Sequence, residues 1–374
     1  MLYRTLGRTG FEVSVLGFGA MRLPMAGKEV DREKAIPMIH HAFEAGVNYI
    51  DSAVFYCGHD GERAVGEALK GWRDKIVLST KNHYYAKNDK KGWWRHFELS
   101  MEKLQVDHLD TYNFHGLSWE KFKEHVDGPD GLYKEMLKLK DQGVVRHICF
   151  SFHDSCENLI KLVDTDMFDS VTCQYNLFDR SNEEGIAHAH EKNMGVVIMG
   201  PVAGGRLGET GGKFAELLPE GISSVPELAL RFVMANPNVT VALSGMSTMQ
   251  HVEENILTAG SSKALSADEL TAVDKVMAEL KAMADLYCTG CGYCQPCEQK
   301  VAIADIFRAV NRYRVYGAKD GARGAYKKLI KDNKEDKQPA GACIECGECE
   351  PKCPQKIKIV EQLKLSHELL AAKE

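Results

Sequence analysis

The chain reads Gly46-Val47-Asn48-Tyr49-Ile50-Asp51-Ser52 where a helical pattern gives way to a short apolar run. A glycine suits the left-handed position that closes a helix, so this stretch predicts a helix end followed directly by a buried strand. Similar runs recur along the chain, and each is followed by a segment with helical periodicity. The eight predicted strands span residues 13–16, 49–50, 76–79, 109–114, 147–151, 170–174, 196–199 and 240–243.

Eight strand–helix units whose strands are apolar on both faces predict a (β/α)8 TIM barrel, an α/β fold. The competing α/β fold is an open doubly wound sheet, which commonly carries G-x-G-x-x-G after its first strand. This chain has Gly17-Phe18-Gly19-Ala20-Met21-Arg22 there, which lacks the third glycine. The number of units and the missing motif favour the barrel.

Two smaller features of the barrel are also predicted. Residues 2–6 and 11–14 flank Gly7-Arg8-Thr9-Gly10, a pattern that predicts a hairpin covering the barrel floor. Glycines just before a predicted strand are expected to close the preceding helix in the left-handed conformation. These glycines are Gly46, Gly143 and Gly195.

The composition of the 374-residue chain limits its function. A net charge of −6 argues against a general nucleic-acid binder, because binding phosphates requires a basic excess. No stretch approaches the ~18 apolar residues of a membrane span, and the first residues do not resemble a signal peptide. We therefore expect a cytoplasmic protein that binds neither nucleic acid nor membrane.

The twelve cysteines divide the chain into two unlike parts, because eight of them lie between Cys288 and Cys353. The other four are scattered through the preceding residues. We predict a barrel over residues 1–285 and a small metal-binding domain over 286–374, in a reducing compartment. Helical patterns over 303–316 and 323–330 separate the cysteine runs, which favours an α-helical ferredoxin-like domain.

The metal-binding cysteines form two runs. The first is C-x-x-C-x-x-C-x-x-C, and the second is C-x-x-C-x-x-C-x-x-x-C-P, the pattern of bacterial ferredoxins. In that pattern the fourth cysteine of each run binds the cluster of the other run. We predict two [4Fe-4S] clusters, one held by Cys288, Cys291, Cys294 and Cys353, and one held by Cys343, Cys346, Cys349 and Cys297.

The spacing before Cys297 is one residue shorter than the ferredoxin pattern. Either the exchange of ligands tolerates this spacing, or the second cluster is incomplete. The alternative metal is zinc, because C-x-x-C pairs also bind zinc. A third cysteine at the same short step has no role in a zinc site, so the spacing favours iron–sulfur clusters.

Polar residues stand at the C-terminal ends of consecutive predicted strands, where TIM barrels build their active sites. Asp51 ends the second strand, Lys81 follows the third and His115 follows the fourth, while Tyr56 lies five residues beyond Asp51. Each residue alone would more often be a cap, a solvated side chain or a core residue. Four together indicate a catalytic site.

Here the sequence resembles the aldo-keto reductases, over about residues 1–280. The matching motifs are Asn48-Tyr49-Ile50-Asp51-Ser52-Ala53 with Tyr56, Ser79-Thr80-Lys81, Leu109-Asp110-Thr111-Tyr112-Asn113-Phe114-His115, Cys149-Phe150-Ser151, Gln174-Tyr175-Asn176, Ser244-Gly245-Met246-Ser247 and Glu253-Glu254-Asn255. The resemblance implies a reductase that uses NADP or NAD on a small carbonyl substrate.

The same resemblance implies a catalytic tetrad of Asp51, Tyr56, Lys81 and His115. Tyr56 would protonate the developing alkoxide, and His115 would orient the carbonyl oxygen. A free tyrosine titrates near ~10, and the Lys81 cation is expected to lower the pKa of Tyr56. Asp51 would hold Lys81 in place.

The cofactor residues follow from the same match. Ser151 and Gln174 would bind the nicotinamide carboxamide, and Met199 stands where the family often places an aromatic ring. The loop after the seventh predicted strand would cover the pyrophosphate, with Gly200, Gly204, Gly205 and Leu207. The adenosine end would contact Gly245, Ser247, His251, Glu254 and Asn255. The arginine that commonly binds a 2′-phosphate is absent, so NAD and NADP both stay open.

The two domains leave the destination of the electrons open. A hydride carries two electrons and each cluster carries one, so direct exchange between them normally needs a flavin, and no separate flavin motif is visible. We expect a carbonyl reductase whose clusters brace the second domain or exchange electrons with a partner protein. The alternative is an electron-transfer or redox-regulatory protein whose barrel is a nicotinamide-binding platform, but such a platform has no need of the tetrad.

Overall fold

A computed structural model describes residues 1–85, 89–177, 179–203, 218, 221–261, 265–283, 288, 294–314, 319–331, 337–353 and 356–371. Eight parallel strands pair in chain order, and the last pairs with the first to close a barrel. They are β1 (Leu16–Gly19), β2 (Tyr49–Asp51), β3 (Val77–Asn82), β4 (Leu109–Leu117), β5 (Val145–Phe152), β6 (Ser170–Gln174), β7 (Gly195–Met199) and β8 (Val241–Ser244). The predicted TIM barrel is confirmed.

At least one helix lies between consecutive strands, and another follows the last strand; short helices also cover Tyr56–His59 and Trp119–Lys121. The main helices of the connections are α1 (Arg32–Glu44), α2 (Gly61–Ala68), α3 (Lys90–Leu104), α4 (Tyr133–Asp141), α5 (Cys156–Asp164), α6 (Glu183–Glu191), α7 (Val225–Ala235) and α8 (Met249–Gly260). Helix α1 illustrates the pattern, since its apolar stripe is buried against the barrel while its other face is polar. The buried stripe consists of Ala35, Met38, Ile39, Ala42 and Phe43.

The prediction of the first strand over residues 13–16 is wrong. Glu12–Ser14 pairs antiparallel with Tyr3–Thr5 in the N-terminal hairpin, and the barrel strand β1 begins only at Leu16. Hydrophobicity runs through both segments, so it does not mark the break between them. The barrel strand β1 instead contains Gly17, because this strand packs closely on β8. A Cβ on Gly17 would lie 2.7 Å from the Val241 Cγ1 atom of β8.

The N-terminal hairpin covers the barrel floor, as predicted. Leu6 and Val13 are fully buried in one cluster with side chains from β2, β3, β7 and β8. The Arg8 amide donates a hydrogen bond to the Asn193 carbonyl (2.7 Å), just before β7 begins. This packing closes the N-terminal end of the barrel and leaves the C-terminal strand ends for chemistry.

Two of the three predicted helix-closing glycines are left-handed, Gly46 (φ 94°) and Gly143 (φ 74°). The third prediction is wrong, because Asn193 (φ 55°) takes the left-handed position and Gly195 begins β7. Gly195 is needed for another reason. A Cβ there would lie 2.6 Å from Leu6 Cδ1 of the hairpin.

The chain folds as two compact units, Met1–Leu207 with Pro226–Ser266, and Gly208–Val225 with Ala267–Glu374. The second unit contains α9 (Ala267–Met283), α10 (Ile303–Arg314), α11 (Lys319–Lys331) and α12 (Ile359–Ala371). Helices α10, α11 and α12 pack on one another around a buried core that includes Phe307, Tyr326 and Leu363. Two of these helices fall where the sequence predicts them, over 303–316 and 323–330. The boundary near residue 286 stays a prediction, because residues 284–287 lie outside the described chain.

Within the described ranges, no helix combines the length and the apolar character needed to cross a bilayer.

Candidate active site

The four tetrad residues come from three neighbouring strands and the segment after β2. Asp51 ends β2, Lys81 is the penultimate residue of β3, and His115 lies near the end of β4. The parallel pairing of β2, β3 and β4 puts these C-terminal ends side by side at the barrel mouth. Tyr56 follows on the short segment between β2 and α2.

Asp51 and Lys81 form a buried ion pair, each with a relative exposure of 2%. The Ser79 hydroxyl donates to the second oxygen of Asp51 (2.8 Å), and Lys81 Nζ donates also to the Ser52 carbonyl (2.8 Å). Burial by itself lowers the pKa of Lys81, but the Asp51 carboxylate and Tyr56 outweigh it and the pKa is raised. The ammonium therefore stays charged inside the barrel mouth.

Tyr56 keeps its proton in this site. Lys81 Nζ lies 5.1 Å from the centre of the Tyr56 ring. Burial raises the pKa of Tyr56, and the Lys81 cation only partly offsets that effect. The expectation that Lys81 lowers the pKa of Tyr56 below its ordinary value is therefore wrong for the net shift, because desolvation of the phenolate is the larger effect.

His115 is uncharged. Burial lowers its pKa to about 2, and the Lys81 cation adds to the effect. Its ring centre lies 6.0 Å from that of Tyr56, and within the described chain its Nδ1 atom is buried without a hydrogen-bond partner. A neutral imidazole offers one N–H donor, so His115 can donate to an oxygen placed beside Tyr56.

An aromatic ring that the sequence analysis missed covers this group. Phe55 stacks on His115 at 4.9 Å with an interplanar angle of 9°, and it meets the Tyr56 ring edge-on at 5.6 Å. Phe55 is 39% exposed at the mouth. Its position directly before Tyr56 was the only signal in the sequence, and adjacency alone does not predict which way a ring points.

The backbone after Tyr56 is also unexpected. Cys57, Gly58 and His59 are consecutively left-handed, with φ values of 50°, 64° and 72°. Such a turn is strained for the two residues that have a Cβ. Asp60 anchors its far end by accepting from the Val30 amide (2.8 Å) and pairing with Arg32.

Two further buried ionisable side chains, Glu62 and Lys103, form hydrogen bonds with residues close to the tetrad. The Thr80 hydroxyl donates to Glu62 Oε1 (2.7 Å), which ties α2 to the residue just before Lys81. Lys103 Nζ donates to the Val54 carbonyl (3.1 Å), two residues before Tyr56. Charged residues on amphipathic helices are usually solvated, so the sequence pattern does not predict the burial of Glu62 and Lys103.

The residues predicted to bind nicotinamide lie at the next strand ends around the barrel. Ser151 is buried in β5, where its hydroxyl accepts from the Gly116 amide (2.8 Å). Gln174 and Met199 end β6 and β7 and are direct neighbours in the sheet. Gly200 follows with φ 66° and has open space where a Cβ would be. Gly204, Gly205 and Leu207 lie outside the described residues.

The residues predicted to bind the adenosine end gather between β8 and the start of α8. Gly245 and Ser247 lie in the connection, and the Ser247 hydroxyl is 3.3 Å from His251 Nδ1. Asn255 donates to the Ser244 hydroxyl (3.0 Å), while Glu254 accepts from Gln250 (2.8 Å). The first turn of α8 offers backbone amides that suit a phosphate.

The described cysteines of the second unit gather on one side of its helical core. Five of them line one cavity, namely Cys294, Cys297, Cys343, Cys346 and Cys349. Cys288 and Cys353 pack against the same core, and Cys291 lies outside the described residues. Thiolates are the donors that iron–sulfur clusters require, so this donor set fits such a cluster.

Comparison with known proteins identifies the barrel. A sequence profile described as the aldo/keto reductase family matches residues 15–278. The chain belongs to this family. Residues 287–357 match a 4Fe-4S dicluster domain, so the chain joins an aldo/keto reductase barrel to a ferredoxin-type domain.

Individual relatives resemble the aldo/keto reductase part of the chain. An uncharacterized oxidoreductase of Bacillus subtilis, YqkF, is 28% identical over 73% of this chain and 95% of its own length. The L-galactose dehydrogenase of Arabidopsis thaliana is 27% identical over 72% of this chain and 91% of its own.

Solved structures agree with the barrel. The aldo-keto reductase AKR11C1 from Bacillus halodurans, in its holo form, is 29% identical with a TM-score of 0.62, over 74% of this chain and 96% of its own. An aldo/keto reductase from Klebsiella pneumoniae in complex with NADP and acetate is 24% identical with a TM-score of 0.62, over 74% and 95%. This second likeness concerns the fold.

Proposed function

We propose that the barrel reduces a carbonyl to an alcohol, and runs the reverse reaction, with NADPH or NADH. The observation that carries the proposal is the buried Asp51–Lys81 pair beside a tyrosine that keeps its proton. Membership of the aldo/keto reductase family supports the choice of a nicotinamide cofactor. The substrate would be a small aldehyde, ketone or quinone-like compound.

A bound nicotinamide would supply a hydride to the carbonyl carbon. The chain's own residues manage the oxygen, which gains negative charge as the hydride adds. His115 donates its N–H to that oxygen, and the Tyr56 hydroxyl gives its proton to it, so an alcohol leaves. Lys81 stabilises the phenolate that remains, and Asp51 keeps Lys81 charged and in place.

The cofactor would lie across the strand ends from β5 to β8. Ser151 and Gln174 would bind the carboxamide, Met199 would contact the ring, and the loop from Gly200 would cover the pyrophosphate. The adenosine would lie near α8, where the chain lacks the arginine that favours a 2′-phosphate. NADP and NAD therefore both remain within the proposal.

In the second unit we propose two [4Fe-4S] clusters over residues 286–374, with the ligand sets predicted from the sequence. The cavity that Cys343, Cys346 and Cys349 line also contains Cys294 and Cys297, so it brings thiols of both runs together. Among the residues described, no three His, Cys, Asp or Glu side chains are arranged to hold a single metal ion. The match of residues 287–357 to a 4Fe-4S dicluster domain supports iron–sulfur clusters over zinc.

The test of the proposed reaction is Tyr56→Phe, which removes only the hydroxyl. We expect kcat for aldehyde reduction to fall by roughly 10²–10⁴, because general acid catalysis contributes that much. Tyr133→Phe is the matched control, since its hydroxyl donates to the Met167 carbonyl (2.6 Å) outside the tetrad. Full activity in Tyr56→Phe would exclude Tyr56 as the proton donor.

A further inference from the structure

Three histidines beside the tetrad have no role in the proposed reaction. His59 ends the left-handed turn, His83 follows β3, and His96 lies in α3. The rings of His83 and His96 meet edge-on with centres 4.9 Å apart. We refer to His59, His83 and His96 as the mouth histidines.

Phe55 links the mouth histidines to the reacting groups. Its ring meets His83 edge-on at 5.1 Å and stacks on His115 at 4.9 Å. Phe55 therefore contacts both His83 and the imidazole proposed to hold the carbonyl oxygen. A substrate seated against Phe55 would reach both.

The mouth histidines lie in basic surroundings. In the described chain, the groups that shift the pKa of His83, apart from burial, are His96 and His59, and those that shift the pKa of His96 are Arg95, Lys103 and His59. Asp89 accepts a hydrogen bond from Tyr84, and the Tyr84 ring stacks on His96. Arg95 and Lys103 are therefore the cations that act on His96, and His83 lies against the His96 ring.

Two of the mouth histidines also carry unused polar atoms. The Nδ1 atoms of His83 and His96 are buried, and neither has a hydrogen-bond partner among the residues the structure describes. A buried nitrogen without a partner costs free energy unless a ligand or water meets it. Basic surroundings and unsatisfied nitrogens both suit an anion.

We propose that the mouth histidines bind an oxyanion group, a carboxylate or a phosphate, carried by the carbonyl substrate. This inference rests on the proposed function, because it places the aldehyde or ketone end at Tyr56 and His115. The anion and the carbonyl would both lie beside Phe55. The substrate class is therefore an anionic aldehyde or ketone.

Protonation would strengthen this site. Burial lowers the pKa of His83 and of His96, and the neighbouring basic groups lower both further, so the free imidazoles are uncharged at neutral pH. A bound oxyanion favours the protonated, positively charged form of the His83 and His96 imidazoles. Binding of an anionic aldehyde should therefore take up a proton, and its KM should fall as the pH falls from about 8 to about 6.

The test compares aldehydes that share one skeleton. The anionic probes are 4-carboxybenzaldehyde and 4-formylphenyl phosphate, and the neutral reference is methyl 4-formylbenzoate. Each places its substituent across one ring from the aldehyde, and Phe55 contacts both His83 and His115. The variants are His83→Phe and His96→Phe, which keep an aromatic ring, with His190→Phe on the exposed face of α6 as the control.

We expect kcat/KM for an anionic probe, divided by that for the ester, to fall on the order of tenfold in His83→Phe and His96→Phe, because a charge-assisted hydrogen bond is lost. Activity with the ester shows that the variants fold. A loss confined to one probe assigns the site to a carboxylate or to a phosphate. Unchanged ratios in both variants would overturn the inference alone, whereas aldehydes reduced equally well by Tyr56→Phe would overturn the proposed function itself.

Discussion

Burial raises the pKa of Tyr56 and keeps its hydroxyl protonated, although the Lys81 ammonium stabilises the phenolate. Desolvation penalises the phenolate, and the cation compensates for only part of that penalty. This balance suits a proton donor in reduction, because the hydroxyl must be protonated when the carbonyl oxygen becomes basic. Asp51 serves the same end indirectly, since its carboxylate keeps Lys81 charged in a buried position.

The pH dependence of reduction follows from these two groups. Tyr56 loses its proton only above its ordinary value of ~10, and His115 gains one only near its pKa of about 2. We therefore expect kcat/KM for a neutral aldehyde, with saturating cofactor, to stay level from about pH 5 to about pH 9. A loss of activity on acidification with a midpoint near ~6.5 would mean that His115 titrates as an ordinary histidine.

For single residues, the sequence predicts which side chains come together. It does not predict how burial and neighbouring charges shift their pKa values. The tetrad follows from motifs because each residue stands at a strand end, and parallel strands bring those ends together. The stacking of Phe55 and the left-handed turn at Cys57 and His59 depend on contacts between distant segments. Local sequence preferences carry no signal for either.

Among the elements, the N-terminal hairpin packs closely on β7 because Gly195 has no side chain. Gly195 was predicted as a helix cap, yet its role is to let the Leu6 side chain and carbonyl approach the start of β7. The error in the predicted position of the first strand also reflects close packing, because Gly17 in β1 allows close contact with β8. Periodicity identifies seven of the eight strands, and tertiary packing decides the position of the first.

Gly195→Ala should lower the free energy of unfolding by about 1–3 kcal/mol, because the new methyl group overpacks against Leu6. Adding Leu6→Ala should make the combined loss smaller than the sum of the two single losses. Gly260→Ala is the matched control, since nothing lies within 4 Å of its Cβ position. Chemical denaturation measures the free energy of unfolding of these four variants against the unmodified protein. Unchanged stability in Gly195→Ala would show that the contact with Leu6 relaxes freely.

The cysteine segments form the second informative element. The spacing of the first run left Cys297 in doubt, because a pattern of intervals does not show which thiols share a cavity. The structure puts Cys297 in the cavity with Cys343, Cys346 and Cys349. Cys294 lines the same cavity, so thiols of the two runs come together there, and the assignment of Cys297 as the fourth ligand stays a prediction.

Cys297→Ala should remove one cluster. Iron and acid-labile sulfide should fall from about eight to about four per chain, because the remaining three thiolates leave one cubane short of a ligand. Cys156→Ala, in the barrel helix α5, should keep the full content. The proposed ligand set is wrong if anaerobically prepared Cys297→Ala retains about eight iron atoms.

The whole molecule joins two electron chemistries in one chain. The aldo/keto reductase barrel carries the residues proposed for a two-electron reduction, while the ferredoxin-type domain carries cysteines proposed to hold one-electron carriers. A barrel used only as a platform has no need of a buried Asp51–Lys81 pair beside a protonated tyrosine. We therefore propose that the reducing electrons reach the substrate directly as hydride.

The most direct measurement follows a label from the cofactor to the product. NADPH and NADH, each deuterated in turn on either face of the nicotinamide C4, would be oxidised by the anaerobic holoprotein with an aldehyde. Direct hydride transfer predicts that one face alone delivers one deuterium to the former carbonyl carbon, detected by NMR of the alcohol. Alcohol formed without deuterium from either face would contradict it, because the electrons would then have passed through carriers that exchange with water.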